Sequence, residues 1–394
     1  MNSSIKPDLI IKAIKNCLPK NISAPTPLHQ PCFGGKEWEY LKDCLDSGWV
    51  SSVGKYVDDF EDGLQNTTGS KYAVAVVNGT SALHLCLQLC DVKDDDEIIV
   101  PTLAFVAVAN AISYCNAVPH FVDCSDETLG VDPTSLEPYL EQISEIKNGE
   151  CFNKSSGRRI KALIAVHTFG HPVDLDAVLR VCQRFHIDLI EDAAESLGST
   201  YKGVHTGCYG KVSALSFNGN KIITTGGGGA ILTQDKDLAR LAKHLSTTAK
   251  RPHPWQTSHD TKGYNYRLPN LNAALGCAQL EQLPEFVRQK RRLATKYKKE
   301  FDNYSGIKFY QEPEFAKSNY WLNALLLNQE YHGELENLLK ATNENQIMTR
   351  PAWNLLHTLP MFEDCPRSGL ETAESLATRL LNLPSSPILG ASYV

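Results

Sequence analysis

What this sequence lacks narrows its function first. Its 394 residues contain no Cys-x-x-Cys pair, no apolar run long enough to span a bilayer, no internal repeat and no low-complexity tract. Without paired ligand spacing a zinc cluster has nothing to form on. The twelve cysteines, among them Cys17, Cys32, Cys44, Cys86, Cys90, Cys115 and Cys124, sit in apolar or amphipathic stretches. They read as buried reduced thiols, and so as a reducing compartment. An excess of one charge is missing too: 39 Lys and Arg against 45 Asp and Glu give a net charge of −6, with the basic residues scattered. That excludes an electrostatic case for nucleic-acid or membrane-surface partners. No glycine fingerprint opens a helix after the first strand, which argues against a nicotinamide dehydrogenase.

Turning to what is present, 42% hydrophobic residues are enough to bury one large domain and a smaller one. Met1–Lys20 places Leu9, Ile10, Ala13, Ile14 and Leu18 at helical spacing, with Lys6, Lys12 and Lys15 between them. It lacks the continuous apolar core of a signal peptide, so an accessory helix over 1–27 and a cytoplasmic protein are expected. From Lys71 to Thr233 short apolar runs (Tyr72–Val77, Glu97–Val100, Val118–Asp123, Lys161–Val166, Asp188–Ile190, Ala214–Ser216, Ala230–Thr233) alternate with helical stretches such as Ser81–Cys90, Val106–Tyr114 and Leu175–Phe185. This alternation predicts an α/β large domain, 28–270, on a mainly parallel sheet whose strand ends collect ligands. The remainder, 271–394, predicts a long connecting helix over Asn272–Tyr304 interrupted at Pro284, then a smaller α/β domain. Its expected strands are Ile307–Tyr310 and Tyr320–Leu327, its helices His332–Ala341 and Thr372–Leu381. Arg251–Lys262 reads as a loop.

Three segments carry chemistry. Asn78-Gly79-Thr80-Ser81 follows the first strand; Thr80 or Ser81 can cap the helix that starts there, or the hydroxyls and free N–H groups can cradle a phosphate. Asp188–Glu191-Asp192-Ala193-Ala194-Glu195 is a strand ending in acids, with Glu191 readable as a solvated rim charge. Ser216-Phe217-Asn218-Gly219-Asn220-Lys221 runs into Gly226–Gly229, four glycines that are costly in backbone entropy unless the chain must pass close to something. Separately each has a bland reading. Together a strand-end Asp, a downstream Lys and a hydroxyl-rich helix start supply what pyridoxal phosphate needs: an amine for its aldehyde, an acid for its ring nitrogen and donors for its phosphate. Phe105, in Pro101-Thr102-Leu103-Ala104-Phe105, reads equally as a core aromatic, but its position after a strand favours stacking on the ring.

Across Asn78–Leu83, Pro101–Ile112, His167–Asp174, Glu191–Tyr201, Ser216–Gly229 and Tyr264–Gly276 the chain resembles the DegT-type sugar-nucleotide aminotransferases of the fold type I pyridoxal-phosphate group. The resemblance implies a seven-stranded, mainly parallel sheet with a smaller C-terminal α/β domain, and pyridoxal 5'-phosphate as cofactor. It makes Lys221 the Schiff-base lysine and proton shuttle, with Asp192 on the pyridine nitrogen and Glu195 near the ring oxygen. Thr80, Ser81 and Ser216 would bind phosphate, with Phe105 stacked on the ring. Asn265 would reach the phosphate of a neighbouring subunit, implying a homodimer with shared active sites. Pro27–Ser52 and Met348–Asn354 are most similar to members aminating C4 of a UDP-linked 4-keto-6-deoxy-N-acetylhexosamine, of the bacillosamine and legionaminic acid type, with glutamate as donor. Trp49, His171, Asn218 and Arg350 are the candidates for the nucleotide-sugar neighbourhood. The sequence departs from the commoner family pattern at Asn218, where many relatives have His, and at Gly227, where they often have Glu.

Amination at C3 stays open at this point, as does a related dehydrase, although those enzymes typically carry His where Lys221 stands. A non-catalytic cofactor-binding regulator would predict an appended DNA-binding domain or a basic patch, and the sequence has neither.

Overall fold

A computed structural model describes residues 6–20 and 24–391. In chain order the elements are α1 (Pro7–Cys17), α2 (Glu37–Ser47), α3 (Lys55–Thr68), β1 (Tyr72–Val76), α4 (Gly79–Leu89), β2 (Glu97–Pro101), α5 (Ala107–Tyr114), β3 (Val118–Val122), α6 (Pro133–Ile143), β4 (Ser144–Lys147), β5 (Glu150–Asn153), β6 (Ile160–Val166), α7 (Leu175–Phe185) and β7 (Asp188–Asp192). There follow β8 (Thr200–Tyr201), β9 (Val204–His205), β10 (Val212–Ser216), β11 (Gly229–Thr233), α8 (Lys236–Ser246), α9 (Asn270–Phe301), β12 (Ile307–Phe309), β13 (Ala316–Lys317), β14 (Asn323–Leu327), α10 (Leu335–Glu344), β15 (Arg350–Pro351), α11 (Glu371–Ala377) and β16 (Leu380–Leu383).

Seven strands form one sheet in the order β1-β11-β10-β7-β6-β2-β3. β11 runs antiparallel to β1 and β10; the other pairings are parallel. Helices cover both faces, so β2, β6 and β11 are buried almost throughout and read as unbroken apolar runs. This is the seven-stranded, mainly parallel sheet that the resemblance implied. A second, antiparallel sheet, β12-β14-β16-β15, carries the C-terminal part.

Three expectations change here. The long helix α9 is continuous through Pro284, 32 residues without a break. A proline inside a helix forfeits a backbone bond, but Ala273, Ala274, Leu283, Phe286, Leu293 and Tyr297 are all buried along α9, and packing outweighs that loss. The expected helix Thr372–Leu381 stops at Ala377, and Leu380–Leu383 is a wholly buried strand between β14 and β15. Periodicity cannot separate a short apolar run of this kind from helix. Likewise β14 begins only at Asn323, because the preceding chain turns, with Tyr320 at φ +49°.

Where the expected accessory segment 1–27 meets the expected large domain 28–270, Thr26 pairs with Ile347, the Ser385 N–H donates to the Leu28 carbonyl and the Gln30 N–H to Ser386 Oγ. α1 buries Ile10, Ile14 and Cys17 in the same cluster as Tyr297, Leu325 and Leu381. We propose that the N-terminal segment through Gln30 belongs with the smaller domain. Among the described residues no helix is long and apolar enough to cross a membrane, and no cluster of ligating side chains could hold a metal.

Candidate active site

The first wall of the site is the start of α4. Asn78, rather than Thr80 or Ser81, caps it: its Oδ1 accepts from the Ser81 N–H at 2.7 Å. Helix geometry then turns Thr80 outward to line a cavity of about 240 Å³, while Ser81 is buried and does not line it. Gly79 must be glycine here, since a Cβ would lie 2.8 Å from the Ser216 Cβ. The close approach places the Ser216 hydroxyl beside the open N-terminus of α4. The glycine run has the same cause at one end: a Cβ on Gly229 would lie 2.5 Å from the Asn78 carbonyl carbon.

The second wall is the end of β7. Side chains alternate along a strand, so the two acids face opposite ways. Glu191 is fully buried and accepts the N–H groups of Gly207, Tyr209 and Gly210 at 2.7, 2.8 and 2.7 Å, with His167 Nε2 at 3.0 Å. Burial opposes its charge, but His167 and these N–H groups hold its carboxyl below the usual range. It is therefore a structural anchor, not a rim charge. Asp192 faces the cavity. Burial pushes its carboxyl up, against the pull of the Ala194 N–H and Lys221. A carboxylate whose charge is costly gains most from a cation placed beside it.

The third wall is the turn after β10. The Phe217 N–H donates to the Gly228 carbonyl and the Lys221 N–H to the Asn218 carbonyl, closing a loop that projects Lys221 into the cavity. Lys221 Nζ lies 3.3 Å from Glu195 Oε1 and 4.0 Å from the centre of the Trp321 ring. Glu195 also accepts the Phe169 N–H at 2.8 Å, and burial raises its carboxyl to about 7. An amine, a strand-end acid and a hydroxyl-bearing helix N-terminus thus converge on one cavity. That donor set fits an aldehyde cofactor with a basic ring nitrogen and a phosphate.

The sequence profile of the DegT/DnrJ/EryC1/StrS aminotransferase family matches residues 31–394. The chain belongs to this family. GDP-perosamine synthase of Escherichia coli O157:H7 is 39% identical over 369 residues, covering 93% of this chain and 95% of the relative. The Vibrio cholerae GDP-perosamine synthase is 36% identical, with coverage of 92% and 94%. Among solved structures, the aminotransferase TlmJ of Streptoalloteichus hindustanus superposes with a TM-score of 0.81 at 26% identity, over 91% of this chain and 93% of that one. As a DegT/DnrJ/EryC1/StrS member, the protein is a pyridoxal-phosphate-dependent aminotransferase acting on a nucleotide-linked sugar.

Within this family member, Thr80, Phe105, Asp192, Glu195, Ser216, Asn218 and Lys221 all line the cavity. Phe105 is 53% exposed at the rim, its ring 6.2 Å from that of Trp353. Five expected residues stand apart. Ser81 is held behind Thr80 by the Asn78 cap. His171 is fully buried, walled in by the Tyr310 and Tyr320 rings at 5.0 and 5.3 Å; burial lowers it to about 3, so it is a core histidine. Trp49 lies on the surface after α2, outside the cavity, its carbonyl accepting from Asn270 Nδ2 at 2.6 Å. Asn265 is exposed, paired through its backbone with Thr247, and does not line the cavity of its own chain. Arg350 lines a neighbouring cavity instead.

Trp321 and Trp353 were not anticipated as wall residues. Both come from the C-terminal part and reach the site only through folding. Trp321 sits within an expected strand and carries no local signal, while its indole N–H donates to the Asn220 carbonyl at 2.8 Å.

Proposed function

We propose that this enzyme transfers an amino group from glutamate to the C4 ketone of a nucleotide-linked 4-keto-6-deoxyhexose. The observation carrying the transamination is the convergence of Lys221, Asp192 and the α4 N-terminus on one cavity; the C4 ketone is supported by the likeness of Pro27–Ser52 and Met348–Asn354. Thr80, Ser216 and the N–H groups at the start of α4 would hold the phosphate of pyridoxal phosphate, and Asp192 would pair with its ring nitrogen. When bound, the cofactor supplies an aldehyde and an electron-accepting ring. Lys221 Nζ carries the proton to and from the carbon that loses or gains nitrogen. Glu195, hydrogen-bonded to Lys221, orients that amine. Trp321 and Trp353 keep water from the reacting carbon.

The reading taken from Pro27–Ser52 and Met348–Asn354 is a UDP-linked 4-keto-6-deoxy-N-acetylhexosamine, on a route to bacillosamine- or legionaminic-acid-like sugars. A second reading, a GDP-linked 4-keto-6-deoxyhexose, is favoured by the likeness to GDP-perosamine synthases, named for a 4-amino sugar product. The two make different predictions for one experiment. The purified enzyme should be yellow, bleach with glutamate, and regain colour only with its own keto-sugar nucleotide. Recovery with the UDP substrate supports the first reading and with the GDP substrate the second. Recovery only with a 3-keto sugar would overturn the C4 assignment.

We further propose a homodimer in which Asn265 completes the partner's phosphate site. In support, Phe33, Trp38, Leu45, Trp49, Val50 and Val53 are exposed in one short stretch, and Trp38, at 86% exposure, shares a face of α2 with Leu45.

A further inference from the structure

A second cavity, of about 400 Å³, adjoins the cofactor cavity and shares Asn220, Trp321 and Trp353 with it as a common wall. Its size is that of a small-molecule site, which typically spans about 300–1,000 Å³. Its lining is mostly apolar, but three polar groups face it without being satisfied by the protein. Both ring nitrogens of His29 are buried and have no hydrogen-bond partner. Asn382, almost wholly buried, spends its Nδ2 on the Pro351 carbonyl at 3.2 Å and leaves Oδ1 unpartnered. Arg350 is steered by its Nη1, which donates to Asn343 Oδ1 at 3.1 Å and the Thr349 carbonyl at 2.9 Å. Among the described residues no carboxylate pairs with that guanidinium, and its Nε and Nη2 remain available.

Buried polar atoms left unpaired are costly, so the two His29 nitrogens and Asn382 Oδ1, converging on one cavity with the exposed Arg350 beside them, point to a ligand that satisfies them. Burial, Lys290 and Lys221 all lower His29 well below its usual range, keeping its ring neutral. A neutral imidazole presents one donor and one acceptor, Asn382 Oδ1 a further acceptor, and this set matches sugar hydroxyls, which both donate and accept. The apolar faces of Trp321 and Trp353 suit the C–H face of a pyranose. An unpaired guanidinium at the mouth suits a diphosphate, which it can grip bidentately.

We infer that this second cavity is the specificity site for the sugar nucleotide, with His29 and Asn382 reading hexose hydroxyls and Arg350 holding the diphosphate. The inference rests on the nucleotide-sugar reading above and adds the residues that choose among such sugars. His29 lies in the N-terminal segment that runs along the small domain, so that segment is part of the site.

The test uses the yellow holoenzyme and unreactive probes that lack the ketone: GDP-mannose, UDP-N-acetylglucosamine, GDP and UDP, titrated by calorimetry. Arg350→Gln should weaken the preferred sugar nucleotide and its free nucleotide alike, by tenfold or more. His29→Leu and Asn382→Leu should weaken the sugar nucleotide by a similar factor while leaving the free nucleotide within twofold. His29→Gln, which keeps a donor and an acceptor, should recover part of the loss and guards against a folding artefact, with the yellow absorbance reporting an intact cofactor site. Wild-type affinity for the sugar nucleotide in both Leu variants would overturn the inference and leave the aminotransferase reading standing. Failure of the wild type to bind any of the four probes would instead sink the nucleotide-sugar reading, and this inference with it.

Discussion

Lys221 owes its position to two different neighbours, the carboxyl of Glu195 and the ring of Trp321. Replacing Lys221 with Ala should abolish turnover with little change in fold. Borohydride trapping followed by peptide mapping should label position 221 and no other lysine; a label elsewhere would refute the assignment. Asp192→Ala should lower kcat by at least about 100-fold, the scale of a lost general acid–base contribution; a near-normal rate would mean that another group serves the ring nitrogen. Glu195 gives a pH signature in the cofactor-free protein. Its carboxyl is raised from the usual 4.5 to about 7, so the folded chain binds a proton more tightly than the unfolded one. The associated stability is fully present below about pH 4.5 and is lost as pH rises through 7, an effect on the order of 3 kcal/mol. Glu195→Gln should flatten the melting temperature between pH 5 and pH 8; a variant that keeps the wild-type slope would contradict this.

At the level of elements, the site depends on how closely β10 and β11 approach the start of α4. Gly79→Ala would force its new methyl against Ser216 and should weaken cofactor binding tenfold or more, read by titrating cofactor into the cofactor-free protein. Asn78→Ala removes the cap from the same helix and should cost about 1 kcal/mol in denaturant unfolding. The strands and early helices of the large domain were legible because short apolar runs alternate there with amphipathic stretches: α7 matches the expected Leu175–Phe185, and the sheet strands agree to within a residue or two. A short buried run outside that alternation was not, as Leu380–Leu383 shows, since an apolar tetrad fits helix and strand equally. The cap was misassigned for a related reason: Asn78, Thr80 and Ser81 are all competent N-caps, and only the backbone geometry decides which residue stands just outside the helix.

Across the whole molecule, the sequence disclosed the residues of the large sheet that line the cofactor cavity and hid those arriving from elsewhere. Lys221, Asp192 and Thr80 sit at strand ends and a helix start, where local pattern carries meaning. Trp321, Trp353 and His29 are brought in by long-range packing; the resemblance marked the segments that hold His29 and Trp353 but neither residue, and it marked nothing at Trp321. His171 misled in the opposite sense, as a polar residue in a suggestive segment that tertiary packing encloses among tyrosines. Quaternary structure provides a further check. Trp38→Asp with Leu45→Asp should convert a dimer to monomers in sedimentation and lower cofactor retention; an unchanged sedimentation coefficient would remove the dimer proposal.

The continuity of α9 through Pro284 has a consequence for how the two parts are kept in step. Asn272, near its start, grips the Thr225 carbonyl at 2.7 Å, just past the loop that carries Lys221. Further along the same helix, Lys290 is buried and donates to the carbonyls of Trp321, at 3.1 Å, and Ser385. One unbroken rod thus gauges the separation between the lysine loop and the tryptophan that faces it, with both span and angle written into residue count. Inserting a single alanine between the two grips would rotate one against the other by about 100° and lengthen the rod by about 1.5 Å. The sequence between Asn272 and Lys290 therefore works as a ruler whose length in residues is fixed, whatever its surface side chains become.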